Sequence, residues 1–200
     1  MNKVFQKSLS ESIQLKTLLL NESYIKKLIK IGDIIIESII KGNKLMICGN
    51  GGSAADAQHL AAELIVRLRS NINRSPISAI SLALDTSSIT ACGNDFGFEF
   101  LYERNVLALG RRGDVLMCLS TSGQSKNIEL AAIAANSIGV YTIGMLGNEG
   151  GIIKDACNYS IVIPSKNTAR IQECHITLGH ALMEYIEDKL IELSFIKKSS

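Results

Sequence analysis

The sequence predicts an α/β fold in which helices flank a mostly parallel sheet. Three observations carry that prediction. Short apolar runs alternate along the chain with segments of helical period. Glycine- or serine-rich turns close two of those runs, after Cys48 and after Leu119. A helix-like segment starts directly behind each of the two turns, as it does in parallel βαβ units.

Two hundred residues are enough for a single domain with a sizeable core, and no internal linker or repeat divides them. A hydrophobic share of 46% and a net charge of +2 describe an ordinary globular chain and argue against a disordered or nucleic-acid-coating one. Lys197-Lys198 at the tail reads as a solvated end rather than a binding patch. The cysteines, at 48, 92, 118, 157 and 174, are odd in number and form no Cys-x-x-Cys pair, which points to buried thiols in a reducing cytosol. The N-terminal stretch is amphipathic, carries Glu11 and lacks a signal peptide's apolar core. No apolar run reaches the ~18 residues of a membrane span. The expectation is a soluble cytoplasmic protein with neither a membrane nor a nucleic acid as partner.

Taken in order, Phe5, Leu9, Ile13 and Leu18-Leu19-Leu20 form a helical stripe over 2–20, broken at Asn21 or Glu22. Tyr24, Ile25, Leu28, Ile31, Ile35, Ile36, Ile39 and Ile40 continue as a second helix until Gly42. The apolar cover of this pair is broad, so either part of it is buried against another subunit or the pair caps one face of the sheet. Residues 45–48 are wholly apolar, as a strand buried on both faces should be. Ala- and Leu-rich residues 54–64 read as helix. After a polar break, 77–82 reads as a second strand, Asp85 to Ser88 as a helix start, 92–97 as a loop and 99–109 as helix. Strand 115–119, helix 128–138 and strand 140–145 follow, then a flexible loop at 147–151. Strand 159–163 is stopped by Pro164, and 169–195 is one long C-terminal helix.

The turn Gly49-Asn50-Gly51-Gly52-Ser53 aims backbone N–H groups and a helix dipole at an anion, with Ser53 in the N-cap position. Gly49-x-Gly51-x-x-Ala54 also fits the dinucleotide fingerprint. However, Asp85 comes too late to be the ribose-binding acid, which disfavours a nicotinamide oxidoreductase. A phosphate loop ending in Gly-Lys-Ser/Thr is absent. The second turn crowds Ser120, Thr121, Ser122 and Ser125 at a strand end. An N-cap or hydroxyl turn needs one or two such groups; four favour a phosphate monoester. The histidines are His59, His175 and His180. His59 and Glu63, four apart, share a helix face with Asp56 and make a half-site for zinc. His175 reads as structural.

Together these residues resemble the phosphoheptose isomerases of the sugar isomerase (SIS) domain family over nearly the whole chain. The resemblance rests on Gly49 to Ser53 with Asp56, His59 and Glu63, on Asn94-Asp95, on Ser120-Thr121-Ser122-Gly123 with Ser125, and on Arg170-Ile171-Gln172-Glu173 with His180. It implies one SIS domain over 1–200, with a five-stranded parallel sheet and residues 1–42 used in packing or oligomerisation. It further implies a homotetramer with sites at subunit interfaces, one zinc per subunit, and conversion of sedoheptulose 7-phosphate to D-glycero-D-manno-heptose 7-phosphate. That reaction opens the route to activated heptose for surface glycans. By motif position, Ser53, Ser120, Thr121, Ser122 and Ser125 would hold the phosphate, and Asn50, Gly51, Gly52, Asn94, Asp95 and Gln172 would line the sugar. Glu63 and His180 would be the acid/base pair, and His59, Glu63, Gln172 and His180 the zinc ligands. Some relatives carry Asp just before the Arg-Ile-Gln motif, where this chain has Ala169. The family also includes non-catalytic regulators, and retention of Glu63, His59 and His180 together favours the enzyme. Gln172 and His180 lie eight apart, roughly 12 Å along one helix, so either the helix is irregular near Gln172, or the ligands come from more than one subunit, or one of the two binds at a time; a site shared between subunits is favoured.

Overall fold

The structure, a computed structural model, describes residues 3–197. Residue 2, where the helical stripe opens, and Lys198 of the terminal pair lie outside them. Two helices lead, α1 (Lys3–Leu19) and α2 (Glu22–Ile40), followed by β1 (Leu45–Gly49) and α3 (Gly52–Ile65). Then come β2 (Ala79–Ser81), α4 (Thr86–Asp95), a 3₁₀ turn (Phe98–Phe100), α5 (Leu101–Leu109) and β3 (Val115–Ser120). The chain ends with α6 (Lys126–Ser137), β4 (Tyr141–Gly147), α7 (Gly151–Ala156), β5 (Tyr159–Ile163) and α8 (Thr168–Glu192).

All strand pairings are parallel, in the order β2-β1-β3-β4-β5. Side chains alternate across each strand, so Leu45 and Ile47 enter one core while Met46 and Cys48 enter the other. The first core is closed by α2, α3 and α8, the second by α4, α5, α6 and α7. Every residue of β1 and β3 is buried, which explains their uninterrupted apolar sequence. The strand order reverses between β1 and β3, and both ligand-type turns leave the sheet at that switch point.

The two leading helices are covered differently. Ile31, Ile35, Ile36 and Ile39 of α2 are buried against the sheet and α8. The α1 stripe stays uncovered in the single chain, with Phe5, Leu9 and Ile13 each more than 60% exposed.

Four elements differ from expectation. The predicted loop 92–97 lies mostly in α4, because Asp85 caps that helix by accepting from Ser87 N at 3.0 Å and buried Cys92 anchors its last turn. Gly97, at φ +107°, ends the segment, and the expected helix 99–109 opens as a 3₁₀ turn before α5. The flexible loop at 147–151 shrinks, since Gly151 opens the short helix α7 with Ile153 buried. The last helix stops at Glu192, and Ser194 takes φ +56°. Among the described residues, no helix is long and apolar enough to cross a membrane.

Candidate functional site

Helices α3 and α8 pack against each other above the first core, and their approach builds the site. At Gly179 a Cβ would lie 2.7 Å from the Leu60 side chain, so only glycine lets the helices come this close. The neighbours of those two residues then meet. His59 Nε2 stands 2.8 Å from His180 Nε2, with the rings edge to face. Glu63 Oε1 stands 3.2 Å from His59 Nε2. The ligand atoms of His59, Glu63 and His180 all lie within 4.8 Å of one another.

A buried ion pair holds the far end of α3 in place. Arg74 donates to the Glu63 and Leu64 carbonyls at 2.7 Å each, which satisfies terminal groups of the helix. The same guanidinium pairs with Glu187 of α8 at 2.7 Å, and both side chains are buried. The backbone that carries Glu63 is therefore tied to the helix that carries His180.

The glycine turn departs from the expected cap. Gly51 takes the N-cap position and Ser53 lies inside α3, buried, with its N–H donating to Asn50 O at 3.0 Å. Ala54 and Ala55 likewise donate their N–H groups to the Gly51 carbonyl at 3.0 and 3.1 Å, so the turn is closed by its own backbone. Tyr102 of α5 donates to the Gly49 carbonyl from below. Gln172 reaches over the turn from α8, its amide filling the place where a Gly52 side chain would be.

The serine turn makes the cap and hydroxyl-turn bonds weighed from sequence. Ser120 Oγ accepts from Gly123 N at 3.1 Å, and Ser122 Oγ accepts from Gln124 N at 3.1 Å. A hydroxyl that accepts in this way keeps its own hydrogen to donate. Ser125 is the N-cap of α6 and lies 3.4 Å from Ser120 Oγ. Thr121 accepts through its carbonyl from Asn148 Nδ2 at 2.9 Å. Beside this turn opens a cavity of about 410 Å³ lined by Ser122, Gln124, Asn148 and Lys166.

Asn94 and Asp95 pair with each other at 2.7 Å on the last turn of α4. Asp95 lines a groove between α4 and α5, together with Phe96 and Arg104, rather than the cleft of the histidines. His175 is buried, and burial pushes its pKa down to about 4, in keeping with a structural role. Ala169 sits in the first turn of α8, its N–H donating to the capping Asn167.

Two further residues belong to the site although they were not assigned to it from sequence. Asp56, one turn before His59, is buried, and its Oδ2 has no hydrogen-bond partner. Burial raises its pKa, opposed by a hydrogen bond from Gln172 and by the charges of His59 and His180. Its place on the His59–Glu63 face was the signal available. Asn127 of α6 is 97% buried and pairs with Asn50; no local pattern marks it.

The eight-residue spacing on α8 favoured a metal site shared between subunits; within one chain, Glu63 and His180 converge with His59. The spacing instead lets Gln172 cover the glycine turn while His180 meets His59 further along α8.

A parallel sheet with glycine- and serine-rich turns at its switch point and a His–Glu–His cluster between two helices defines a doubly wound α/β protein with a candidate ligand site at the switch point. The SIS domain family model matches residues 11–147, and the chain belongs to that family. Relatives named phosphoheptose isomerase share 41% identity in Clostridium acetobutylicum and 44% in Aquifex aeolicus. These alignments cover 95% and 94% of this chain, and 96% and 97% of the relatives. The structure of a phosphoheptose isomerase from Francisella tularensis matches with a TM-score of 0.88 at 31% identity, covering 94% of this chain and all of that one.

Proposed function

We propose that the chain is an aldose–ketose isomerase that converts sedoheptulose 7-phosphate to D-glycero-D-manno-heptose 7-phosphate. The observation that carries this reading is the His59–Glu63–His180 cluster, in a chain whose near-full-length relatives are named phosphoheptose isomerases.

The phosphate sits on the serine turn, where Ser120, Thr121, Ser122 and Ser125 donate hydroxyls and the N-terminus of α6 adds its dipole. The Ser53 hydroxyl closes the other side. Asn50, Gly51, Gly52 and Gln172 line the sugar. Asn94 and Asp95 join them through the assembled oligomer, because α4 carries them away from the histidines within one chain. Moving the carbonyl from C2 to C1 needs a proton taken from C1 and one delivered to C2, with an enediol between. Glu63 moves the carbon-bound proton, and it has a second carboxylate oxygen beyond the one near His59. While its Nε2 is free of the ion, His180 hands a proton to the C2 oxygen and takes one from the C1 hydroxyl.

The donor set fits zinc. Tetrahedral bonds of about 2.0–2.1 Å place donor atoms roughly 3.3 Å apart. The His–His and His–Glu separations of 2.8 and 3.2 Å come within small side-chain adjustments of that value. His59, Glu63 and His180 would hold one ion per subunit, with Gln172 as the fourth ligand after its amide turns from Asp56. Bound there, zinc would supply polarisation of the substrate oxygens.

The uncovered α1 stripe of Phe5, Leu9 and Ile13 serves a homotetramer with sites at subunit interfaces. Five free cysteines accord with a cytoplasmic location. The product feeds synthesis of activated heptose for surface glycans such as lipopolysaccharide.

The test incubates the protein with sedoheptulose 7-phosphate in D₂O, with zinc and after chelation, and follows the aldose anomeric proton by NMR. Aldose bearing deuterium at C2, formed faster with zinc, is expected. Binding without turnover in the presence of zinc would overturn the reading in favour of a non-catalytic SIS-domain regulator.

A further inference from the structure

Side by side at the switch point, the two turns come from neighbouring strands that pair in register through Gly49 and Leu119. One contact links them directly. Asn50 Nδ2 donates to Asn127 Oδ1 at 2.9 Å, and Asn127 Nδ2 donates to Asn50 Oδ1 at 2.8 Å. The two bonds form a closed amide–amide ring, which holds the two side-chain planes together and fixes the orientation of each amide relative to the other. Asn127 sits on the first turn of α6, two residues after the N-cap Ser125, and is only 3% exposed. A buried amide with both bonding edges matched is costly to break, because either partner alone is left unsatisfied.

The turn it holds needs holding. Gly51 adopts φ +55° and ψ −120°, a conformation open to few residues, and nothing lies within 4 Å of where its Cβ would be. Tyr102 holds the Gly49 carbonyl and Gln172 covers Gly52, and the Asn50 side chain is what ties the turn to α6. Because the Asn50 amide is committed to Asn127, its part in the site is to set the backbone of the turn.

We propose that Asn127 is a positioning residue that acts through Asn50, clamping the glycine turn to the serine turn at a fixed spacing. The clamp rests on the isomerase reading, in which one turn lines the sugar and the other binds the phosphate. Substrate spans both turns, so losing the clamp lets the sugar drift relative to the acid/base pair. A misplacement near 1 Å costs about 10²-fold in rate.

A double-mutant cycle on the intact protein tests this. Asn127→Ala should lower kcat/KM at least ~10-fold, mostly through kcat, because the serine turn that anchors the phosphate keeps its own bonds. In an Asn50→Ala background the same substitution should cost less than ~3-fold, because the clamp is already gone. Hydrogen exchange of residues 50–55 should quicken in Asn127→Ala while that of β3 stays unchanged, and this readout needs no substrate. If Asn127→Ala does not fold, Asn50→Ala, at the more accessible residue, should by itself lower kcat/KM at least ~10-fold and quicken exchange of residues 51–55. Wild-type kcat/KM in Asn127→Ala, or a loss that persists in full in the Asn50→Ala background, would overturn the clamp. Quickened exchange in a protein that never turns over sedoheptulose 7-phosphate would retain the clamp and sink the isomerase reading.

Discussion

Gly52 offers a sharp test of how the site is assembled. A methyl group there would lie 2.1 Å from Gln172 Nε2, against 3.4–4 Å for an ordinary contact. The Gln172 amide would have to retreat by about 1.3 Å, the shortfall between those figures. Displacement of that size from a productive geometry costs on the order of 10²-fold in rate, or about 2.7 kcal/mol of barrier. Stability should hold, because the clash is with the far end of a flexible side chain and alanine suits a helix better than glycine by roughly 0.5–1 kcal/mol. Gly51→Ala should behave in the opposite way. No atom blocks its methyl, but φ +55° strains it, at about 1–3 kcal/mol of stability. For a chain of this size each kcal/mol lowers Tm by about 2–4 °C. Steady-state kinetics of aldose formation and thermal melts on both variants read the contrast. Gly52→Ala should also add nothing once Gln172→Ala is present. A Gly52→Ala enzyme with wild-type kcat/KM, or one whose loss survives in the Gln172→Ala background, would refute the placement of Gln172.

Glu63→Gln should lower kcat at least ~10²-fold with Tm nearly unchanged, since the side chain faces the cleft and Arg74 holds only its backbone carbonyl; a variant inactive merely because it is unfolded would count against this. Replacing Ser122 and Ser125 together with Ala should raise KM far more than it lowers kcat, and equal conversion of non-phosphorylated sedoheptulose would show that the phosphate is bound elsewhere. His175 keeps its folded pKa near 4, below the ordinary 6.5, so between those values the unfolded chain binds a proton that the folded chain refuses. Stability should therefore fall as pH drops from 6.5 towards 4, by up to about 3 kcal/mol, and level off below. Urea midpoints at pH 7 and pH 4.5 should differ less in His175→Leu than in the parent, and equal differences would remove His175 as the cause.

The sequence alone determined the sheet, because strands such as β1 and β3, buried on both faces, must be apolar without interruption. It also determined the chemical character of the two turns and the His59–Glu63 half-site, since those depend on spacing within one element. Elements whose order depends on neighbours were less legible. Helix α7 begins at paired glycines, at φ +96° and +56°, which locally read as a loop, and it holds its place by burying Ile153. The end of α4 contains Gly93 and two polar residues, and Cys92 keeps it helical through packing. Which side chains meet across elements was decided only by the tertiary structure. His180 reaches His59 because Gly179 lets α8 settle onto Leu60, and Asn127 reaches Asn50 because β1 and β3 lie side by side. Periodicity records the face a residue occupies on its own helix or strand. The partner across the gap is set by how close two backbones can pack, and that depends on residues far apart in the chain.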